Sequence, residues 1–96
     1  MRFRFVATVA VTSNAHSVVT DAATTFLQGG INQIIAASGT SEGQTGDGTS
    51  DVTLSMNGTT TGGLIGTDLT FECLTTTQWH VSGFAVSSGT LTTPFA

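Results

Sequence analysis

The chain has 96 residues and a net charge of -4, and only 8% of its residues are charged. Apolar residues make up 39%, close to the globular norm, which excludes an intrinsically disordered chain. Apart from two histidines the only cations are Arg2 and Arg4. They are too few to neutralise the phosphates that nucleic-acid binding needs or to hold an anionic membrane surface.

Lysine and tyrosine are absent, threonine is about a fifth of the chain, and glycine occurs 12 times. β-Branched threonine favours strands and glycine serves tight turns, so the composition predicts an all-β protein. The length suits a single domain spanning 1–96, with a core modest enough that oligomerisation would help it. One cysteine, Cys73, allows no intrachain disulfide.

From the N-terminus, Phe3, Phe5, Ala7, Val9 and Val11 alternate with Arg2, Arg4, Val6, Thr8 and Ala10. That period of two predicts a strand rather than a signal peptide, whose apolar run Arg4 would interrupt. A turn is expected at Thr12-Ser13-Asn14 and a second short strand over His16 to Thr20. Asp21-Ala22-Ala23 punctuates the chain before Thr24 to Leu27, and Gly29-Gly30 separates that run from Ile31 to Ala37. Ile31, Ile34 and Ile35 fit a helical spacing, with Asp21 able to cap a helix over Ala22 to Gln28. Isoleucine richness and the paired glycines favour strands instead.

Ser38 to Ser50, SGTSEGQTGDGTS, contains no apolar side chain and reads as a long exposed loop. Val52, Leu54 and Met56 then alternate inward, followed by an Asn57-Gly58 turn. In the last third, Leu69, Phe71 and Cys73 alternate with Asp68, Thr70 and Glu72, and Trp79, Val81 and Gly83 alternate with His80 and Ser82. The expected core is Leu54, Phe71, Trp79 and Val81. Leu91 to Thr93 is read as a last short strand, and Pro94-Phe95-Ala96 as a weakly anchored tail. Six to eight short antiparallel strands with turn signals between them predict a small β-sandwich or jelly-roll-like barrel.

No constellation carries chemistry. His16, His80 and Cys73 lack a compact zinc-ligand spacing, and Glu42, Asp47 and Asp51 do not follow a calcium-loop register. The six acids form no recognisable glycosidase pair. No nucleophile elbow appears, and no lysine follows Gly29-Gly30 or Gly62-Gly63 as a phosphate loop requires. Asn57-Gly58-Thr59 matches a glycosylation sequon, which matters only in a secreted eukaryotic setting. No stretch approaches the roughly eighteen apolar residues of a membrane helix. The expectation is a soluble non-enzyme with no cofactor and no metal.

The segment DVTLSMNGTTTGGLIGTDLTFECL, followed by WHVSG and SSGTLTTPFA, resembles small β-rich virion proteins of tailed bacteriophages. These are capsid decoration (cement) proteins or related capsid and tail-fibre domains. The matching positions are Asn57, Gly58, Gly62, Gly63, Trp79, Val81 and Gly83, with Gly89-Thr90-Leu91 and Pro94-Phe95. The resemblance implies a virion structural protein, made in the host cytoplasm, that sits on the outer capsid and clamps neighbouring copies of the major capsid protein. A homotrimer is expected, since repetition multiplies weak contacts. Arg2, Phe3, Arg4, Phe5 and Phe95 are the expected docking residues, at termini 1–5 and 92–96. The alternative is a host-surface or carbohydrate-binding module of a virion fibre or tail, with Trp79, His80 and the 38–50 segment as its face.

Overall fold

A computed structural model of the chain describes residues 2–10, 15–20 and 23–96. Within them the protein is all-β, with seven strands and no helix. They are β1 (Arg2–Val6), β2 (His16–Val19), β3 (Phe26–Ile35), β4 (Ser41–Asp47), β5 (Thr53–Met56), β6 (Asp68–Thr75) and β7 (Gln78–Ser87). Five form a sheet in the order β1-β6-β7-β3-β4, and β2 pairs with β5 in a second. Every pairing is antiparallel except that of β3 with β7, which runs parallel. The result is a small two-layer, sandwich-like fold.

The alternation read from the sequence explains how the layers meet. Phe71 lies opposite Val81, which lies opposite Gly29, so their shared face continues across three strands. That face carries Leu27, Ile31, Leu69, Phe71, Val81 and Ala85 into the core. Leu54 and Met56 of β5 pack on it, both fully buried. The other face of the large sheet carries Arg2, Arg4, Glu72 and Asp68, with Phe84 47% exposed among them.

The segment read as a loop over 38–50 holds a strand. Ser41–Asp47 pairs with β3 in an unbroken register from Gln28↔Asp47 to Ile34↔Ser41. An edge strand needs no apolar side chain when its backbone bonds hold it, so its Ser/Gly-rich composition concealed it. Gly29 and Gly30 lie within β3 instead of ending a strand. At Gly29, φ is +101° and the His80 ring and Val81 carbonyl press where a Cβ would stand.

Three further expectations change. Cys73 is exposed rather than buried, although it still pairs with Trp79, ahead of the bulge that separates it from Thr75. Leu91 to Thr93 forms no strand. Instead Phe95 makes a bridge to Leu54, and Ala96 exchanges hydrogen bonds with Thr53 at 2.9 Å each way. β1 also stops at Val6, short of the expected Val11, with residues 7–10 outside any strand. Val11 itself, the turn at 12–14 and the Asp21 cap lie outside the described residues.

Asp47 organises the turn that follows β4. Its Oδ1 accepts the backbone N–H groups of Thr49, Ser50 and Asp51 at 2.8–3.0 Å, and its Oδ2 accepts the Ser50 hydroxyl. These donors favour the ionised form and hold the carboxyl well below the usual carboxylate range. Asp68 is lowered in the same direction by its bond from Arg4. A carboxyl whose folded pKa is depressed adds stability above its unfolded pKa, and loses it as pH falls through the folded value. Stability is therefore expected to decline on acidification from about pH 4 downward. Urea midpoints measured from about pH 6 to about pH 2 should show this fall, with a shallower slope for Asp47→Asn.

Candidate docking cleft

β1 ends the large sheet on one side, and β2 is an edge of the small one. Between them lies an apolar cleft of about 450 Å³. β1 contributes Phe3, Phe5 and part of Arg4, Val18 and Val19 of β2 and the following Thr20 line the other side, and Leu27, Phe71 and Trp79 complete the lining from the large sheet. Phe3 stacks on Trp79 with ring centroids 5.5 Å apart and planes 14° apart. Phe5 meets the edge of the His16 ring at 6.4 Å. Phe3 nevertheless stays 55% exposed, as does 62% of Val19. A stacked aromatic pair left in water at the rim of an open apolar cleft is a feature that a partner would cover.

The period of two in β1 divides the four N-terminal docking residues. Phe3 and Phe5 turn towards the cleft, whereas Arg2 and Arg4 turn to the opposite face. There, Arg2 Nε and Nη2 donate to Glu72 Oε2 at 3.0 and 2.9 Å. Arg4 holds Asp68 with a two-pronged contact, Nε to Oδ1 at 3.0 Å and Nη2 to Oδ2 at 2.7 Å. The pairs follow from the register, in which Arg2 faces Glu72 and Arg4 is diagonal to Asp68. Asp68 in turn raises the Arg4 pKa. Such exposed pairs add little stability, and both arginine side chains keep about two-thirds of their surface, 69% and 66%.

Phe95, the fifth expected docking residue, is only 6% exposed and belongs to the core. Backbone pairing of the tail with β5 carries its ring inward, so it offers nothing to a partner in this fold. Leu54 and Val81 are fully buried and Phe71 is 3% exposed. Trp79 packs against the core from a partly buried position at the cleft.

The face proposed for sugars does not come together. Trp79 and His80 are consecutive in β7 and point to opposite faces. The strand of the 38–50 segment forms the far edge of the sheet, separated from β7 by β3, and the segment meets β7 at Gln78, whose Nε2 donates to the Gly48 carbonyl at 3.3 Å. One face of the Trp79 ring is already taken by Phe3. Among the described residues no three His, Cys, Asp or Glu side chains gather as a metal site would require.

Val18, Val19 and Leu27 were missed as cleft residues. The adjacent valines of a short, otherwise polar strand were the available signal, because one of any two neighbours must leave the buried face. Phe84 was missed as well. It is in phase with His80 and Ser82, and it borders a shallow depression with Gly30, Asn32, Gly43 and Thr45 on the open face. No family model, no curated protein and no solved structure matches this chain.

Proposed function

We propose that the protein is a structural docking module of the virion decoration kind, attaching to the outside of an assembled capsid through the cleft between β1 and β2. The observation that carries this reading is the Phe3–Trp79 stack, with Phe3 largely exposed, beside an apolar opening that the described residues do not close. Aromatic anchors in a pocket are the usual source of interface energy. A module that binds neighbouring shell subunits only when they are assembled stabilises the shell by mass action. It needs no catalytic group. The phage assignment is drawn from the likeness of the chain's last forty residues or so to decoration proteins.

Cosedimentation of the purified protein with shells assembled from the major capsid protein of the same genome tests the proposal. Saturable binding to assembled shells, with none to unassembled subunits, is the expected result. Equal binding to free subunits, or no binding to shells, would overturn it.

A further inference from the structure

We infer that the cleft receives a strand: an extended segment of the partner, apolar at alternate positions, pairs with the outer edge of β1, which no described strand covers, and fills the space towards β2. This rests on the docking reading above and specifies how the partner is recognised.

The phase of β1 carries the argument. Ala7 N–H donates to the Thr67 carbonyl at 3.0 Å, and residue pairs in an antiparallel ladder alternate between bonded and non-bonded. Phe5 and Phe3 are then bonded to Leu69 and Phe71, their register partners, while the peptide groups of Arg4 and Val6 point away from the sheet. β1 is the terminal strand, and neither proline nor lysine guards it. A strand laid on that edge would continue the face of Phe3 and Phe5, so every second side chain would enter the cleft. Backbone bonds give such a complex its affinity, and the alternating side chains its selectivity.

The edge strands β1, β4 and β2 of a second copy fit this seat poorly. Overlapping β1 on β1 brings the arginines of one copy against those of the other, which is destabilising. β4, with the sequence SEGQTGD, has no apolar side chain to fill the cleft. β2 is only four residues long. On the opposite face, the added strand would run beside Arg2 and Arg4, whose largely exposed guanidinium groups favour polar or acidic neighbours. These features favour a foreign segment as occupant, apolar towards the cleft and polar or acidic towards the arginines.

Two displayed libraries of peptides about ten residues long test this. One alternates apolar with polar or acidic residues, and the other has the same composition in a helical period. Selection on the intact protein is expected to enrich the alternating library alone. Val6→Pro removes an outward N–H, at an edge position where proline is tolerated, and should weaken the selected peptides about ten-fold or more, while Val6→Thr should not. Bound peptide should also slow amide exchange at Arg4 and Val6 by about ten-fold or more, a readout that does not depend on the proline variant folding. Enrichment of both libraries or of neither, or unchanged exchange at those amides, would overturn the inference. Shell binding without strand selection would leave the docking reading standing and remove this one. Strand selection without shell binding would do the reverse.

Discussion

Phe95→Ala is expected to lower the unfolding free energy by about 3–5 kcal/mol, the cost of emptying a buried aromatic site. The ring lies in the core cluster with Leu27, Leu54 and Met56. The backbone around it is tied as well. Ser55 N–H donates to the Pro94 carbonyl at 2.9 Å, and the N–H groups of Val52 and Thr53 both donate to the Ala96 carbonyl. Upstream, the fully buried Gln33 donates from Nε2 to the Thr92 carbonyl at 2.8 Å. The tail is thus a structural part of the second layer. A domain of this size has only about 5–15 kcal/mol to lose, so the variant should unfold at a much lower urea concentration than the parent. A loss below about 1 kcal/mol, accompanied by lost shell binding, would instead return Phe95 to the docking surface.

Gly83→Ala should be at least as damaging, at about 4 kcal/mol or more. Gly83 sits in the middle of β7 with φ at +120°, a conformation that side chains rarely adopt. A Cβ there would collide with the Asp68 carbonyl oxygen, and would stand 3.1 Å from the Asp68 carbonyl carbon and 3.2 Å from Leu69 Cα. All three are backbone atoms of the neighbouring strand. None can swing aside, so relief requires opening the β6–β7 pairing where Leu69 faces Gly83. Gly43→Ala provides the contrast, because nothing lies within 4 Å of its Cβ position. Its unfolding free energy should stay within about 0.5 kcal/mol of the parent's. Similar losses at the two glycines would contradict this account of the sheet.

The parts of the fold that were legible in the sequence are those that depend on one strand alone. Leu69 and Phe71 in β6, and Leu54 and Met56 in β5, announce their buried face because each strand has one dry side. The separation of Phe3 and Phe5 from Arg2 and Arg4 was equally legible, since it follows from alternation. What was hidden depends on a second strand. β4 is held by backbone bonds to β3, and its side chains carry no trace of them. Arg2 and Arg4 meet Glu72 and Asp68 only because β1 adopts one register on β6. Phe95 is buried because the tail pairs with a strand far back in the sequence. The parallel partnership of β3 with β7 likewise has no local signature. Of the candidate site, the aromatic half was readable from β1, whereas the valines of β2 entered through the packing of one sheet on the other.

The attachment proposed above runs through the cleft and not through the open sheet face. Phe3 and Phe84 are exposed to similar extents, 55% and 47%, and lie on opposite faces of the same sheet. Shell occupancy of Phe3→Ser and Phe84→Ser, measured side by side with the parent, separates the two surfaces. Phe3→Ser is expected to bind about ten-fold more weakly or worse, while Phe84→Ser binds like the parent. Loss of occupancy in Phe84→Ser with Phe3→Ser unaffected would contradict it.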